Sequence, residues 1–435
     1  MSAKQNNEGF SSILGFILVT IGFAVGVGSF WRFPYVCGTN GGAIFILTYL
    51  LVIILIGIPL LAAEITMGFT TQKTAVGAYK ALAPGTKWHC VSYLHILVAV
   101  LIFSYTVPIY AWVLTYIWRT AAGFFVEMAP SDIEASFIAL TSDYKTLFLF
   151  AGVNWASVAL VVQGGLQNGV EKLNKFLLPA LAVIMAVCIV IGFQVEGAEK
   201  GLVFMFKPDA ANFSMNSVTT AVGQAFFAIG IGMLAAMIFG SYIKNKAENI
   251  VRDSSVICFA IVLAGIASGL MIFPMVFAFG LAPTAGVGLS LITLPNVFNY
   301  IKFGRAVGCL FYIGFYFAAF SSAIGLCEAV SAVFMDGLGI SRRKAVAVSM
   351  CIALAVGSAA LVVPNFLDTI DMITSNYLLV ISGFAISVFV GWVWGVDNFI
   401  AAANIKSGFV KLWMKFTVKY LCPIAIAAMF MGNFM

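Results

Sequence analysis

Long apolar windows of about 20 residues recur along the whole chain, separated by short stretches rich in glycine, proline and charged residues. A helix needs roughly this length of apolar sequence to cross the hydrocarbon core of a bilayer. Eleven windows are found, centred near residues 24, 55, 104, 153, 184, 228, 267, 320, 354, 384 and 425. The pattern therefore predicts an all-α polytopic membrane protein with eleven membrane-spanning helices.

The composition excludes a soluble globular domain. Of the 435 residues, 62% are hydrophobic and 9% are charged, and the mean hydropathy is +1.05. The opening residues MSAKQNNEG lack the basic start and cleavage site of a signal peptide, so the first span is expected to remain in the protein. Scattered cysteines without a CxxC pair argue against a disulfide framework or a metal centre. Basic residues spread over short loops argue against a nucleic-acid partner.

The charges of the loops predict the orientation in the membrane. The N-terminus and alternate loops hold 16 of the 23 Lys and Arg residues; these loops are 70–90, 163–176, 241–253, 336–346 and 397–419. The positive-inside rule then places the N-terminus in the cytoplasm and, after eleven spans, the C-terminus outside. Segment 280–306 is too amphipathic to span, and we expect it to form an exterior re-entrant segment or cap.

Two of the eleven windows are interrupted by residues that disfavour a helix. The first contains IGFAVGVGSFWRFP (21–34), and the sixth contains GQAFFAIGIGMLAAM (223–237). Glycine in a membrane helix often serves close packing, but a matched pair of interruptions five spans apart is typical of transporters built from inverted repeats. We therefore expect two inverted five-helix repeats, 1–195 and 196–398, with broken helices 1 and 6 and an additional helix in 399–435. Backbone groups freed at the breaks can bind ions and polar substrate groups.

Several polar residues fall in or beside the spans, namely Arg32, Glu64, Ser321, Ser322 and Glu328. Ionisable groups at membrane depth are by default candidates for function. For the two glutamates, a structural role as hydrogen-bonding groups between helices is equally open.

Five motifs, in order along the chain, resemble the neurotransmitter:sodium symporter family in its bacterial amino-acid branch. They are GFAVGVGSFWRFPYVCGTNGGAIF in the first span, GIPLLAAEITMG at 57–68, GQAFFAIGIG with SYI in the sixth span, AAFSSAIGLCEAV in the eighth, and LDTIDM at 367–372. The resemblance implies a leucine-transporter-type fold in an eleven-helix variant, located in a bacterial-type plasma membrane. It implies sodium-coupled amino-acid transport by alternating access, and no enzymatic activity.

The resemblance also implies a substrate site at the two breaks. The substrate carboxylate would accept hydrogen bonds from the N–H groups of Val27 and Gly28, and the ammonium would face backbone carbonyls. The implied substrate-binding residues are Ala24, Gly26, Val27, Gly28, Ile102, Tyr105, Phe227, Gly230, Met233, Ser322, Gly325 and Leu326. In helix 3, Thr106 holds the family's register for the lid tyrosine, but a kink at Pro108 favours Tyr105.

These residues carry no charge that would hold a charged side chain, so the implied substrate is a neutral amino acid. The two glycines leave space for a large hydrophobic or aromatic side chain. If Phe23 and Met233 fill that space, a smaller substrate is favoured instead.

One sodium site and two gates follow from the same resemblance. The implied sodium ligands are the carbonyls of Gly22, Val25 and Ala318 and the hydroxyls of Ser321 and Ser322. Neutral oxygens of this kind suit a hard cation, whereas hydrogen bonding of the serines to their own helix is the alternative. The implied outer gate is Arg32 with Asp371, covered by Phe227 and Tyr105, and the implied inner gate includes Tyr242 and Asp336.

The sequence departs from the family at three places. At the second sodium site Ser29 is kept, but Phe23, Ala228 and Ile261 offer no side-chain oxygen, so we expect that site to be empty. At the chloride site Gly265 leaves Gln224 almost alone, so no chloride dependence is expected. Asn7 and Phe10 stand where the family has Arg and Trp, which leaves Asp336 without its expected ionic partner.

Two classes of function remain open. The first is a sodium-coupled symporter that uses one sodium ion. The second is a sodium-independent exchanger or a non-transporting substrate receptor, which the missing ion ligands and the altered inner gate keep open. An intramembrane enzyme finds no support, because the chain has no HExxH or GxSxG motif.

Overall fold

The computed structural model describes residues 8–244, 249–281, 283, 286 and 288–432, and within these residues the chain forms helices without β-strands. Asn7 and the last three residues lie outside the described residues. Eleven helical segments correspond to the predicted spans: α1 (Ile13–Ala24 and Gly26–Thr39), α2 (Ala43–Thr71), α3 (Trp88–Ala121), α4 (Tyr144–Gln163), α5 (Leu166–Phe193), α6 (Met215–Ile229 and Ala235–Ser241), α7 (Ile250–Ala278), α8 (Gly304–Leu338), α9 (Arg342–Val362), α10 (Phe366–Val393) and α11 (Gly408–Met431).

Within the described ranges, nine of these segments are long and apolar enough to cross a membrane as single helices. The two halves of α1 pass the same test together, and each half of α6 is too short to do so alone. The predicted all-α membrane fold with interrupted first and sixth helices is therefore confirmed. The division into two inverted repeats and the orientation of the termini stay predictions.

The first interruption is a bend and not an open loop. The α-helix ends at Ala24, a π-helical turn covers Gly26–Arg32, and the axis changes direction by 46°. Pro34 comes next, in the first turn of the α-helical part Phe33–Thr39, where its missing N–H leaves the carbonyl of Phe30 without its helical partner. Ser268 of α7 replaces that partner, with its Oγ 2.7 Å from Phe30 O.

The second interruption is a true unwinding. Residues 230–234 connect the two halves of α6, and three of them have positive φ: Gly230 (77°), Gly232 (78°) and Leu234 (67°). Glycine adopts this left-handed region without penalty, whereas a leucine there is strained. The helix therefore ends at Ile229 and begins again at Ala235.

The helices divide into inner and outer ones. In the most apolar windows of α3 and α8, 72% and 67% of the residues are buried, against 33% or less in α4, α5 and α11. Large apolar side chains such as Leu160 and Phe409 are exposed on the outer helices. An apolar outer surface of this extent suits contact with lipid, and α3 and α8 are among the inner helices of the bundle.

The segment 280–306 holds a short apolar helix, Leu289–Phe298. Tyr116 of α3 and Tyr312 of α8 donate hydrogen bonds to the carbonyls of Leu291 and Ser290, at 2.7 and 2.8 Å. The helix is too short to span, as expected, and its exterior location stays a prediction.

Candidate functional site

The predicted cation site lies where the bend of α1 contacts α8. Ser321 Oγ donates to Gly22 O at 2.6 Å and to Ala318 O at 2.8 Å, and Ser322 Oγ donates to Phe23 O at 2.5 Å. Both serines are buried. Three carbonyl oxygens and two hydroxyl oxygens thus lie together away from solvent. Because a hydroxyl can turn its hydrogen away and present lone pairs, this set can coordinate a hard cation.

A glycine makes this close approach of the two helices possible. A Cβ atom at Gly26 would lie 1.7 Å from Ser322 Oγ and 2.8 Å from Ala318 O, both closer than real Cβ contacts. Val25, the remaining predicted ligand, is the residue between the α-helical and π-helical parts of α1. Gly22, Ala318, Ser321 and Ser322 therefore lie together at the bend, with the carbonyl of Phe23 in addition. Coordination of sodium by these residues and by Val25 stays a prediction.

A small cavity of about 30 Å³ adjoins this site. Eight of the twelve predicted substrate-binding residues line it: Ala24, Val27, Gly28, Ile102, Phe227, Met233, Ser322 and Leu326. The residues that complete its wall are Phe23, Thr106, Tyr110 and Ala228. The two broken helices thus supply most of the wall, with α3 and α8 closing it.

The four other predicted residues lie elsewhere, and one side chain accounts for two of them. The ring of Phe23 lies 2.4 Å from where a Cβ of Gly230 would be, and 2.9 Å from where a Cβ of Gly325 would be. Phe23 therefore fills the space beside both glycines. Gly26 packs directly against the side chain of Ser322, and Tyr105 lines a different cavity.

Helix α3 contributes a residue that the sequence analysis missed. The helix is interrupted at Thr106, and Pro108 lies in the first turn of its second part. Thr106 Oγ1 donates to Tyr110 Oη at 3.2 Å, and both residues line the small cavity. Their spacing of four residues places them on one face of a helix. This spacing is the signal from which Tyr110 could have been found.

A larger cavity of about 320 Å³ lies beyond the small one. Its wall consists of Val27, Trp31, Tyr35, Tyr105, Thr106, Ile109, Phe227, Gly286, Leu367, Asp368 and Asp371. Val27, Thr106 and Phe227 line both cavities and so form the boundary between them. This arrangement matches the requirements of a lid over a substrate site.

The predicted outer-gate residues face this region without pairing. Both Arg32 and Asp371 are described, and no ion pair joins them. The Arg32 guanidinium lies 4.5 Å from the centre of the Phe227 ring, and its buried Nε and Nη1 have no hydrogen-bond partner in the described residues. Asp371 accepts hydrogen bonds from Tyr105 Oη at 2.6 Å and Ser375 Oγ at 2.9 Å. Their role as a gate stays a prediction.

Glu64 holds the unwound part of α6. Its Oε1 accepts a hydrogen bond from the N–H of Gly232 at 2.6 Å, and Ser382 Oγ of α10 donates to the carbonyl of the same residue at 2.8 Å. His95 of α3 also hydrogen-bonds to Ser382, and its other ring nitrogen lies 2.7 Å from Tyr79 Oη. The structure therefore shows Glu64 as a hydrogen-bonding group between helices, one of the two roles left open above.

Tyr242 belongs to an ionic network at the opposite end of the bundle from Asp371. Its Oη donates to Glu328 Oε1 at 2.8 Å, and Arg342, at the start of α9, pairs with both Glu328 and Glu8. Glu328 is fully buried, so it needs this counter-charge. Sequence reasoning missed Arg342 and Glu8. The N-terminal segment is thus held through an acid of its own and not through the arginine typical of the family.

Two other predicted features have clear positions. Asp336 lies outside the Arg342 network, and its Oδ2 accepts from the N–H and Oγ1 of Thr74, at 3.2 and 2.7 Å. Phe10 packs against Tyr242, with ring centres 6.1 Å apart, and its N–H donates to Tyr242 O at 3.1 Å. Phe10, which stands where the family has Trp, therefore packs on one of the residues predicted for the inner gate.

The residues at the second sodium site and at the chloride site, both predicted to be empty, make the following contacts. Ser29 Oγ is buried and has no hydrogen-bond partner in the described part of the chain. Gln224 Nε2 donates to Gly28 O at 2.8 Å. The Phe33 ring lies 3.0 Å from where a Cβ of Gly265 would be. The absence of a second sodium ion and of chloride stays a prediction.

A bend in α1 with an oxygen-rich site against α8, an unwound turn in α6 and an adjoining cavity form the arrangement typical of secondary active membrane transporters. The chain belongs to the Sodium:neurotransmitter symporter family, whose sequence profile matches residues 7–129 and 132–435. It is 30% identical to the uncharacterized sodium-dependent transporter YhdH of Bacillus subtilis, over 99% of this chain and 98% of that protein. A sodium-dependent transporter of Methanocaldococcus jannaschii is also 30% identical, over 98% of this chain and 90% of that protein.

A solved structure supports the fold independently. The crystal structure of MhsT in complex with L-phenylalanine has a TM-score of 0.90 and 32% sequence identity, and the match covers 98% of this chain and 99% of that chain. The family and the fold are those of transporters and not of enzymes. The resemblance stated from the five motifs is therefore confirmed.

Proposed function

We propose that this protein is a sodium-coupled symporter of a neutral amino acid that works by alternating access and moves one sodium ion per cycle. The observation that carries the proposal is the set of buried oxygens around Ser321 and Ser322, next to a cavity lined by the bend of α1. A transporter couples two solutes when both bind the same movable element. Here the carbonyls of α1 would contact the ion, and the N–H groups one turn later would contact the substrate.

One sodium ion supplies enough free energy for useful accumulation. A membrane potential of about 100 mV contributes about 2.3 kcal/mol per charge moved inward. A tenfold sodium gradient adds roughly 1.4 kcal/mol. Together they support concentration of a zwitterion by about a few hundredfold. The position of the second ion offers Ser29 but no side-chain oxygen at Ala228 or Ile261, which supports a stoichiometry of one.

The neutral character of the substrate rests on the wall of the small cavity, which carries no ionisable side chain apart from the hydroxyl of Tyr110. The size of the substrate side chain has two possible answers. The phenylalanine in the MhsT structure and the glycines at 230 and 325 suit a large side chain. The ring of Phe23, which fills the space beside both glycines, favours a small one. We propose a small neutral amino acid such as glycine, alanine or serine.

The test is uptake into proteoliposomes of a panel of neutral amino acids, from glycine to tryptophan, with sodium replaced by choline in the control. The proposal requires sodium-dependent accumulation against a gradient, with a Hill slope for sodium near one. A slope near two would mean that the second ion site is occupied. Uptake indifferent to sodium would overturn the symporter and favour the exchanger.

The serine pair provides the most direct variant. Changing Ser321 and Ser322 to Ala together removes both hydroxyl oxygens, so sodium-driven accumulation is expected to fall to background. Ser331→Ala is the matched control, because Ser331 is also buried on α8 but its hydroxyl lies 3.0 Å from that of Ser349. Equal uptake by the double variant and the control would contradict the sodium site.

Phe23 provides the test of substrate size. Phe23→Leu and Phe23→Ala remove part or all of the ring beside the two glycines, so uptake of leucine or phenylalanine should rise relative to alanine. Discrimination by one methylene in such a site is worth about 10- to 200-fold, and a shift of at least tenfold is expected in the ratio of kcat/KM values. Strong phenylalanine uptake by the unmodified protein would instead establish the large-side-chain alternative.

A further inference from the structure

Asn174 of α5 is a buried side chain with an unsatisfied oxygen beside the cation site. The residue is 1% exposed, and its Oδ1 has no hydrogen-bond partner among the described residues. A buried acceptor left unpaired loses the hydrogen bonds that it made to water and gains none in return. Buried groups of this kind call for an explanation, such as a bound ion.

The direction of this oxygen is set by the other end of the same amide. Nδ2 donates to the carbonyl of Val170, one turn earlier in α5, at 2.9 Å. Turning the amide over would exchange this bond for contact between two acceptors. The oxygen therefore points away from its own helix, towards α1.

Asn174 Oδ1 points at Gly22, whose carbonyl accepts a hydrogen bond from Ser321. Asn174 Oδ1 lies 2.0 Å from where a Cβ of Gly22 would be, and Ser321 Cβ lies 3.6 Å from the same position. Glycine at 22 thus leaves open the space that the amide oxygen occupies. The oxygen and the serine side chain approach α1 from two different helices and meet on the same side of one residue.

One turn earlier, helix α5 contacts both α1 and the residues just before it, which holds Asn174 in place. Glu171 accepts hydrogen bonds from the N–H and Oγ of Ser11, and it pairs with Lys175 at 2.7 Å. A Cβ at Gly15 would lie 2.1 Å from Glu171 Oε1. The faces of α1 and α5 that carry Gly15 and Glu171 are therefore in close contact. This contact, and not only the hydrogen bond of Asn174 to Val170, fixes the position of Asn174.

We propose that Asn174 Oδ1 is a further oxygen of the cation site and contributes to sodium affinity. An amide oxygen is a neutral, hard donor of the same kind as the carbonyls of Gly22 and Ala318, so it adds to the set without adding charge. This inference rests on the proposed function, since it assigns a residue to the same ion site. It is separate from the five ligands that the family resemblance implies.

The experiment measures sodium binding without transport. The purified full-length protein is titrated with sodium chloride at constant ionic strength, with choline as the replacement, and the rise in melting temperature gives the sodium Kd. Asn174→Ala is expected to raise that Kd about tenfold, as loss of one supporting group in a metal site commonly does. Asn174→Asp, which keeps the shape and adds a negative charge, is expected to lower it several-fold.

Opposite shifts for the two variants are the signature of a ligand, and a purely structural residue would not produce them. Asn154→Ala is the matched control, because Asn154 is an equally buried amide on α4 whose Oδ1 accepts from Tyr316 at 3.3 Å. Its sodium Kd should stay within about twofold of the unmodified protein, since it contacts no part of the ion site.

The outcomes separate this inference from the proposed function. If sodium stabilises the unmodified protein, and the double change of Ser321 and Ser322 to Ala abolishes that effect, an unchanged Kd in both Asn174 variants overturns the role of Asn174 alone. The unpaired oxygen would then be satisfied by water. If sodium does not stabilise the unmodified protein at all, the proposed function and this inference fall together.

Discussion

The end of the helical bundle near Asp371 and the end near Tyr242 are held by different interactions. At the end near Asp371, a cavity of about 320 Å³ is lined by Asp368 and Asp371, and Arg32 lies on the Phe227 ring without an ion pair. At the end near Tyr242, Arg342 pairs with two carboxylates and the N-terminal segment packs over the contact. The first end is bounded by rings and single hydrogen bonds, and the second is tied by charge.

This difference indicates which end resists opening in the conformation described. A buried ion pair is costly to break when one partner is removed, because the remaining charge is left uncompensated. Rings and a single hydrogen bond can rearrange at lower cost. In this conformation, buried ion pairs hold the Tyr242 end, and the cavity of about 320 Å³ lies at the Asp371 end.

The largest effect is expected from Arg342→Ala. The change leaves the fully buried Glu328 without its counter-charge, at a cost of about 3–5 kcal/mol. Accumulation of substrate should fall at least tenfold, and amide hydrogen exchange over residues 9–16 should quicken as the N-terminal segment is released. Arg343→Ala is the matched control, since Arg343 is the exposed neighbour in the same turn. Equal effects of the two changes would mean that the network does not hold this end.

An intermediate effect is expected from Tyr105→Phe at the other end. The change removes the hydrogen bond to Asp371, and a bond to a charged group is worth about 1.5–3 kcal/mol. The KM for substrate should rise several-fold while the melting temperature changes little. Tyr35→Phe serves as the control, because Tyr35 lines the same cavity but its hydroxyl makes no hydrogen bond within the described residues. A KM that is unaltered in both variants would count against Tyr105 as part of a lid.

The smallest effect is expected from Asp336→Asn. Asp336 is exposed, accepts hydrogen bonds from half-buried Thr74 and takes no part in the Arg342 network, and the asparagine keeps an acceptor oxygen. Initial uptake rates should therefore stay within about twofold of the unmodified protein, in keeping with the small worth of exposed polar contacts. A loss as large as that of Arg342→Ala would restore Asp336 to the inner gate that the family resemblance implies.

The membrane fold was open to prediction because a bilayer imposes strict local rules. Each span requires about 20 apolar residues, and backbone groups cannot stay unpaired in lipid. Both rules act on short stretches of sequence. The interrupted first and sixth helices were recognisable for the same reason, since Gly26 and Gly230 stand where a span would otherwise continue.

The gates were only partly predictable because they depend on contacts between distant parts of the chain. Glu8 and Arg342 are 334 positions apart, and the replacement of the family's N-terminal arginine hid the fact that another arginine serves this end. Asp336 occupies the position that the family motif predicts for the inner gate, but its side chain contacts Thr74 and not the N-terminal segment. Charge alone does not indicate which partner a residue meets.

The sequence by itself determined the class of protein, the eleven helices, the position of both breaks and the oxygen-bearing residues at the bend of α1. Only the tertiary structure decided that Phe23 fills the space beside Gly230 and Gly325, that Tyr110 completes the cavity wall, and that the oxygen of Asn174 points at Gly22. The physical reason is that hydrophobicity and helix-breaking act along a few neighbouring residues. Volume, hydrogen-bond satisfaction and ion pairing depend on which helices come into contact.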